Sequence, residues 1–458
     1  MDWVPTLSEW SGPIYLRLVE ALTSDIANGR LARGRQLPTH RALAQALGID
    51  LTTVTRAYGE ARRRGLIEAR VGQGTFVSET TARPAAHIPF PVKIDLSMNV
   101  PPQPVEANLD QRIGKGFASL QSKASFSAFL NYQRAGGSDE EREIAANWLR
   151  ARLPEASPER VVIYPGNQAI LFNALLSLTS PGDVVLTEAL TYPGIKAAAA
   201  KLGVRLIGVE MDRDGILPDA LKTACRHYRP KAVYLTPTQH NPTTATLTPE
   251  RRKAVADIIS ASDTILIEDD AYGMLEPAAM PIALLIPERT WLAVGLSKCI
   301  APALRVSFLL VPDAAAEQAM RSALQATAQM PARLMVALVT HWLKTGIADE
   351  IISAVRNEAH GRQQLASKIL KGISFAARPN AHHLWLPLPR QWSAMTFASH
   401  LLRSGLAVVE SDAFALDQPV AQAVRVSLGA ARNRAELAQA LGLLANTLQS
   451  PASIDQIV

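Results

Sequence analysis

The pattern of hydrophobic and polar residues differs between the first 80 residues and the rest of the chain. Before residue 80, apolar residues recur at every third or fourth position, which predicts amphipathic helices at residues 13–28, 41–47 and 51–64. From residue 94 onward, short β-branched runs alternate with longer helical patterns, which is typical of an α/β sheet with ligand sites at its strand ends. The pattern therefore predicts a small N-terminal domain (residues 1–78) and a larger α/β region (residues 94–458).

Cap and turn residues in the N-terminal domain indicate a helix-turn-helix. Thr39 and Asp50 stand where a side-chain oxygen would cap the second and third helices, and Gly48 supplies the turn between them. Residues 66–77 then form two short segments of strand character joined by Gly72 and Gly74, which predicts a hairpin wing. Together these signals predict an α+β winged helix.

The third helix has a polar face opposite its apolar face. Thr52, Thr53 and Arg56 lie together there, near the helix N-terminus, where a recognition helix meets bases and phosphates in the major groove. Residues 30–70 contain nine arginines and three acidic residues, so this window carries the same net charge, +6, as the whole 458-residue chain. A basic window within such a pattern favours nucleic acid, whereas the alternative is a helical hairpin with solvated basic faces.

The larger region shows regular alternation of strand and helix patterns. Its strands are predicted at residues 160–164, 184–187, 205–209, 232–235, 265–268, 291–295 and 307–311, with helices at 168–177, 191–202 and 249–260. The C-terminal third contains a further strand pattern near 383–387 and helices at 394–404 and 434–448. We expect this last part, from about residue 325, to form a small α+β subdomain.

One lysine stands out in an apolar stretch, GLSKCIAPALRVS. The amine of Lys298 can form a Schiff base with an aldehyde cofactor, and burial lowers a lysine pKa toward the nucleophilic form. Ser297 and Arg305 are residue types that bind phosphate, through a hydroxyl and a bidentate guanidinium. Main-chain amides near Asn167 and Gln168, where a strand meets a helix, could complete a phosphate site.

Three further strand ends carry suggestive side chains. Tyr192 offers an aromatic face for stacking, and Asn241 places an amide just past a strand. A buried carboxylate at Asp269 would keep a pyridine nitrogen protonated, although exposed acids at a strand end are the ordinary alternative. Each signal is weak alone, but their order along the chain favours a pyridoxal phosphate site.

Composition narrows the class of protein further. Hydrophobic residues make up 48% and charged residues 19%, as in folded globular proteins. Cys225 and Cys299 are too few for a disulfide framework, and no apolar run reaches the length of a membrane span. The N-terminus lacks the pattern of a signal peptide, so a cytoplasmic protein without membrane contact is expected. Residues 79–93, rich in Thr, Ala and Pro, are predicted to be a semi-rigid linker.

The N-terminal pattern closely resembles the winged helix-turn-helix of the GntR family. The resemblance rests on Pro13, Tyr15, Gly29–Leu31, Gly34, Leu37–Pro38, Arg41, Leu43–Ala44, Leu47–Gly48, Thr53–Val54, Ala57–Tyr58, Gly65–Leu66, Gly72 and Gly74–Val77. It implies binding of double-stranded operator DNA through Arg41, Thr52, Thr53, Arg56, Gly72 and Gly74. Asp50 and Leu51 depart from the family, which usually has a serine and a polar or basic residue there.

The larger region resembles the fold-type I aminotransferases, with a large α/β domain and a small C-terminal domain. The resemblance implies a Schiff base on Lys298, Asp269 at the pyridinium nitrogen, and Tyr192 stacked on the ring. It assigns Asn241 and Tyr272 to the phenolic oxygen of the cofactor. The implied phosphate ligands are Asn167, Gln168, Ser297 and Arg305.

The same resemblance assigns two residues to a substrate or effector. Arg425 matches the arginine that binds an amino acid carboxylate, and Tyr132 belongs to a segment that reaches the site of the partner subunit. The resemblance therefore also implies a homodimer. Neither Cys225 nor Cys299 has the neighbours of a metal site.

A GntR-like module joined to an aminotransferase-like domain is the arrangement of the MocR/GabR family of bacterial regulators. The resemblance implies a pyridoxal-phosphate-binding transcriptional regulator that senses an amino compound through Lys298. Two alternatives stay open: an active aminotransferase of the aminoadipate or aromatic type with an ancillary DNA module, and a regulator whose effector is the cofactor itself. Of these, we expect the protein to be a transcriptional regulator. A residual transaminase half-reaction is compatible with that expectation.

Overall fold

The computed structural model describes residues 3–6, 14–27, 30–32, 34–63, 66–70, 74–78, 92–123, 125–417 and 421–449. The chain divides into two compact units, Met1–Pro91 and Val92–Val458. The predicted linker, residues 79–93, lies almost entirely outside the described residues. No helix in the described ranges is long and apolar enough to cross a membrane.

The N-terminal unit has the predicted helix-turn-helix and wing. Its elements are α1 (Ile14–Ala27), α2 (His40–Leu47), α3 (Leu51–Arg63), β1 (Ile67–Arg70) and β2 (Gly74–Val77), with the two strands antiparallel. The apolar face of α3 is buried and consists of Val54, Ala57, Tyr58 and Ala61. They pack with Leu18 and Leu22 of α1 in one hydrophobic core.

Side chains cap these helices as the sequence predicted. Thr39 Oγ1 accepts a hydrogen bond from the main-chain N–H of Ala42, and Asp50 Oδ1 accepts one from Thr52 at 2.7 Å. Gly48 ends α2 in the left-handed region, with φ at 63°, which a residue with a Cβ adopts only at a cost. These caps fix where α3 begins.

The larger unit is built on a sheet of seven described strands: β4 (Val161–Tyr164), β5 (Val184–Glu188), β6 (Arg205–Val209), β9 (Ala232–Leu235), β10 (Ile265–Asp269), β11 (Thr290–Gly295) and β12 (Ser307–Leu310). Their order in the sheet is β4-β12-β11-β10-β9-β5-β6. Only β12 runs antiparallel to its neighbours in this sheet. These are the seven strands that the sequence predicted, each within one residue at either end.

Helices and short strands complete this unit. They are β3 (Ile94–Asp95), α4 (Leu109–Lys123), α5 (Asp139–Leu149), α6 (Asn167–Leu178), α7 (Pro193–Leu202), β7 (Met211–Asp212), β8 (Gly215–Ile216), α8 (Pro218–Tyr228), α9 (Pro249–Ser260), α10 (Ala314–Thr327) and α11 (Arg333–Thr345). Separate apolar cores lie against the sheet, which buries the continuous apolar runs of its central strands. The predicted α/β class is confirmed.

A smaller α+β subdomain follows, with a core of its own. It contains α12 (Ile347–Ile369), β13 (His383–Pro387), α13 (Ala394–Arg403), β14 (Leu406–Ala407), β15 (Val409–Glu410), β16 (Ala423–Ser427) and α14 (Arg434–Gln449). Strand β16 lies between β13 and β15 in an antiparallel sheet, and β3 pairs with β14. Leu96, which follows β3, is fully buried in this core beside residues of α14.

Candidate functional site

A pocket opens where several strands of the main sheet end. It is lined by Asn167, Gln168, Tyr192, Thr236, Asn241, Asp269, Ala271, Tyr272, Gly295, Ser297, Lys298, Pro302 and Arg305. Every residue predicted to bind the cofactor is in this set. Since parallel strands bring their carboxyl ends to one edge, residues more than a hundred positions apart meet here.

One end of the pocket combines a helix N-terminus with an arginine. Gly166, the residue before α6, has φ at 103°, and a Cβ there would lie 2.7 Å from Arg305 Nη2. The guanidinium of Arg305 therefore lies directly over the start of α6, and Ser297 lines the same pocket. Free amides at a helix N-terminus, a guanidinium and a hydroxyl form a site suited to phosphate.

Asp269, at the end of β10, is the buried carboxylate that the sequence predicted. Its Oδ1 accepts a hydrogen bond from Asn167 Nδ2 at 2.7 Å, and its Oδ2 accepts one from Tyr234 Oη at 3.0 Å. Burial raises the pKa of Asp269 to about 6, against the opposing effect of these two donors. A carboxylate in this environment is stabilised by a cation placed in the pocket.

Lys298 lies in the loop between β11 and β12 and lines the same pocket. Its Nζ donates a hydrogen bond to the main-chain oxygen of Asn99. Burial lowers the pKa of Lys298 to about 8, and the positive charge of Arg425 adds to this effect, while Asp269 opposes it. Lys298 therefore presents far more neutral amine near pH 7 than an ordinary lysine does.

Arg425, in β16, contacts the pocket through Asn241. Its Nη1 donates to Asn241 Oδ1 at 2.7 Å, its Nη2 donates to the main-chain oxygen of Ser97, and its guanidinium lies 5.0 Å from the Phe414 ring centroid. Burial lowers the pKa of Arg425 to about 10, so the side chain stays charged at neutral pH. This is the cation that the sequence assigned to a carboxylate.

Tyr192 and Tyr272 form the aromatic part of the pocket. A Cβ at Gly194 would lie 2.2 Å from the Tyr192 ring, so a glycine is needed for that ring to fold back over the start of α7. Tyr272 Oη accepts a hydrogen bond from Asn99 Nδ2 at 2.8 Å, and burial raises the pKa of Tyr272. The phenol is therefore protonated and can donate to a ligand.

Sequence reasoning missed several contacts of the site. Asn99 contacts both Lys298 and Tyr272, and its Nδ2 lies 3.1 Å from His383 Nδ1. Tyr234 orients Asp269, and its polar hydroxyl at the end of an apolar strand was a signal that could have been used. Asn99 gave no comparable signal, because it lies in a short irregular segment about two hundred residues from Lys298.

Two further predicted residues differ from the others in their contacts. The side-chain amide of Asn167 contacts Asp269, so for a phosphate only its main-chain N–H is offered. Tyr132 is 82% exposed and is not among the residues that line the pocket of its own chain. Its expected place in a partner's site stays a prediction.

The polar face of α3 is on the surface of the N-terminal unit. Arg41, Thr52 and Arg56 are exposed, and Thr53 is half-buried. Arg56 is held by Tyr15 of α1: its guanidinium carbon lies 3.9 Å from the ring centroid and its Nη2 lies 3.3 Å from the hydroxyl. Gly74 begins β2, whereas Gly72 lies outside the described residues.

The pocket fits the pyridoxal phosphate that the sequence implied. Among the described residues, Asn167 Oδ1, Gln168 Oε1 and Arg425 Nε are buried polar atoms without a hydrogen-bond partner. Buried polar atoms of this kind are costly unless something binds them. An anion site, a buried carboxylate and a lysine of lowered pKa occupy one cavity, and these are the three groups that such a cofactor requires.

Comparison with known families agrees with both units. Residues 91–444 match the family model "Aminotransferase class I and II", and residues 14–77 match "Bacterial regulatory proteins, gntR family". An HTH-type transcriptional regulator of Bacillus subtilis, YdeF, is 28% identical over 98% of this chain and 97% of its own length.

Two further proteins are similar to this chain. The probable rhizopine catabolism regulatory protein MocR of Rhizobium meliloti is 24% identical over 73% of this chain and 72% of its own. The structure of LysN, the α-aminoadipate aminotransferase of Thermus thermophilus, superposes with a TM-score of 0.71 at 24% identity, over 78% of this chain and 92% of LysN. The chain thus belongs to the aminotransferase class I and II family and carries a GntR-family module, which makes it a pyridoxal-phosphate-binding, DNA-binding transcriptional regulator of the MocR type.

Proposed function

We propose that this regulator senses a small amino compound at the pocket around Lys298 and changes its binding to operator DNA in response. The observation that carries the proposal is the convergence of Lys298, Asp269 and Arg305 on one cavity, with Arg425 one hydrogen bond away. When bound there, pyridoxal phosphate supplies an aldehyde carbon that exchanges one amine for another and a ring that withdraws electrons. DNA binding belongs to the GntR-like module.

Each residue of the pocket then has a defined task. Ser297, Arg305 and the main-chain amides of Asn167 and Gln168 bind the phosphate. Asp269 holds a proton on the pyridine nitrogen, because Asn167 and Tyr234 orient its carboxylate. Tyr192 covers the ring, while Asn241 and Tyr272 donate to its phenolic oxygen, and Lys298 provides the covalent attachment.

Arg425 determines the class of the effector. A carboxylate beside it would form a charge-assisted bidentate pair, which is stronger than its present bond to a neutral carbonyl. The amine of the same molecule would reach toward Lys298, whose lowered pKa allows it to accept a proton near neutral pH. An amino acid or related amino carboxylate is therefore the expected ligand.

We further propose that the protein is a cytoplasmic homodimer. The large exposed fraction of Tyr132 supports a contact with a partner subunit, as the sequence expectation requires. Two N-terminal modules in one dimer would bind two half-sites of an operator. A ligand that changes the balance of dimer conformations would then change affinity for DNA.

A second candidate function is turnover as an aminotransferase. It is favoured by the lowered pKa of Lys298 and by a pocket whose predicted cofactor residues are complete. The two functions are separated by incubating the loaded protein with a panel of amino acids, with and without an α-keto acid. Sustained formation of a new amino acid supports the enzyme, whereas a single spectral change without product supports the sensor.

The cofactor itself remains the third candidate as effector. To test it, DNA fragments retained by the protein from a random-sequence pool are titrated with the apoprotein in the presence and absence of pyridoxal phosphate. A change in affinity without any amino compound would identify the cofactor as the signal. An affinity that neither the cofactor nor any amine changes would contradict sensing altogether.

The pH dependence of cofactor attachment tests the state of Lys298. A pKa of about 8 leaves roughly a tenth of the amine neutral at pH 7, compared with fewer than about one in a thousand for an ordinary lysine. The attachment rate should therefore rise from pH 6, reach half its maximum near pH 8, and level off above. Rapid mixing of apoprotein with pyridoxal phosphate, followed by absorbance, measures this midpoint.

The variant Arg425→Gln is the control for this profile. It removes a positive charge that helps to lower the pKa of Lys298, so its midpoint should shift to higher pH. A wild-type midpoint near 10.5, or no shift in the variant, would argue against the proposed electrostatic environment.

Removal of Arg56 tests the proposed DNA face. Tyr15 holds the Arg56 guanidinium at the surface of α3, so Arg56→Ala should lower operator affinity by about 1 to 3 kcal/mol, roughly 5- to 150-fold. Cofactor binding should be unchanged. Arg30→Ala is the control, because it removes the same charge from a residue outside α3; equal losses in both variants would indicate general electrostatics instead of a specific contact.

A further inference from the structure

The first segment of the larger unit, residues 93–100, is anchored in the small subdomain; we call it the lead segment. The main-chain N–H groups of Lys93 and Ile94 donate to the oxygen of Gly405 at 2.8 and 3.0 Å. Leu96 donates to Ala407 at 2.9 Å, and its own oxygen accepts from Ser427 at 3.0 Å. Four main-chain bonds thus fix the half of the lead segment that follows the predicted linker.

The second half of the lead segment enters the site. The main-chain oxygen of Ser97 accepts a hydrogen bond from Arg425 Nη2, and that of Asn99 accepts one from Lys298 Nζ. The Asn99 side chain adds its bond to Tyr272, while Met98, between these two residues, is 64% exposed. Two anchor points, one residue apart, therefore bind Arg425 and Lys298.

Both bonds compete with the tasks that we propose for these cations. A carboxylate at Arg425 offers two charged oxygens in place of one neutral carbonyl, so it would displace Ser97. Commitment of the Lys298 amine to the cofactor would likewise remove its bond to Asn99. The cofactor thus acts against the Asn99 anchor, whereas a carboxylate-bearing ligand acts against the Ser97 anchor and, by exchanging its amine for that of Lys298, frees the lysine again.

His383 fixes the orientation of the Asn99 side chain in the lead segment. Its Nε2 lies 3.1 Å from the main-chain oxygen of His240, so Nε2 carries the proton and Nδ1 accepts from Asn99. Burial keeps the pKa of His383 well below its usual value, so this tautomer persists across neutral pH. The Asn99 side chain consequently keeps one orientation, and its release depends on the ligand more than on protonation.

We propose that the lead segment is the ligand-responsive element of this regulator: occupation of Arg425 by a carboxylate frees Ser97, and the change passes along the chain into the linker. This inference rests on the proposed sensing function. It identifies a covalently continuous route, because the lead segment directly follows the residues that join the two units. The DNA-binding module would then respond to a changed attachment of its tether.

Hydrogen–deuterium exchange of the full-length protein tests this proposal. Two probes that both leave the Lys298 amine free isolate the Ser97 anchor: pyridoxamine phosphate has no carboxylate, whereas N-(5′-phosphopyridoxyl)-L-alanine adds one beside Arg425. Peptides covering residues 93–100 should exchange about five-fold faster with the second probe than with the first, as expected for loss of one hydrogen bond. Unchanged exchange with a probe that binds, and that alters DNA affinity, would overturn the inference.

The same measurements distinguish this failure from failure of the sensing function. If the second probe binds but leaves DNA affinity unchanged, the sensing function fails, whatever the lead segment does. Probe binding itself is followed independently by fluorescence. In Arg425→Gln, the second probe should bind through its phosphate and ring but no longer accelerate exchange beyond the first probe.

A matched pair of variants tests the anchor directly. Asn99→Ala removes the bonds to Tyr272 and His383, so exchange in the lead segment should rise without any probe, and DNA affinity should move toward that of the liganded wild type. Met98→Ala, at the exposed neighbouring position, should change neither. Equal behaviour of the two variants would contradict the proposed route.

Discussion

Replacing Lys298 with alanine is expected to abolish covalent attachment of pyridoxal phosphate and to leave DNA affinity insensitive to amino compounds. Lys298 is the lysine that lines the described pocket, and its lowered pKa prepares it for attachment. Asp269, Arg305 and Tyr192 remain in the variant, so weaker non-covalent binding of the cofactor should persist. The N-terminal core contains no part of this pocket and should keep its fold.

Borohydride reduction followed by mass spectrometry measures the covalent attachment, and titration with the selected DNA measures the response. Lys253→Ala is the control, because Lys253 is an exposed lysine on α9 that pairs with Asp257. The control should retain attachment and regulation. Regulation that survives intact in Lys298→Ala would show that attachment is not the switch.

Replacing Asp269 with asparagine is expected to have opposite effects on cofactor affinity and on stability. Loss of the anionic partner of the pyridine nitrogen should weaken cofactor binding by about 2 to 5 kcal/mol, as for other buried charge pairs. The apoprotein should become more stable at neutral pH, because the substitution removes a carboxylate whose charge is disfavoured by burial.

The sign of the stability change follows from the pKa of Asp269. Its folded-state pKa, about 6, exceeds the ordinary value of 3.8, so the carboxyl destabilises the fold progressively as pH rises from about 4 through 6. The stability gain of the variant should be constant above pH 7 and vanish near pH 3. Thermal unfolding of apoproteins across this range measures it, with the exposed Asp257→Asn as control; a gain that grows toward acid pH would contradict the assignment.

The sheet was predictable from sequence because its strands are continuous apolar runs between polar turns. Burial on both faces leaves such strands no alternation, and their short length distinguished them from helices. Helix α12 was missed although Ala348, Ile351, Ile352, Val355 and Ala359 recur at helical spacing. Strand β16 was also missed, since its alternation is brief, and Arg425 was identified through the family resemblance alone.

The candidate site was predictable where its residues follow the ends of those strands. Lys298, Asp269 and Asn241 each occupy such a position, so the sheet brings them together once its order is known. The contacts of Asn99 and His383 were not predictable, because they depend on tertiary packing of an irregular segment against the small subdomain. The residues next to Asn99 and His383 in sequence do not indicate this contact.

The burial of Leu96 brings the first and last described elements of the larger unit into one hydrophobic core. Leu96 packs in the same core as Leu437, Leu441 and Leu444 of α14, so the last helix of the described chain helps to seat the segment nearest the linker. Loss of α14 would weaken the packing around Leu96 without altering the winged helix itself. A genetic screen that scores only repression or activation would therefore find mutations at the far C-terminus beside those in the DNA-binding module, and could mistake them for defects in recognition.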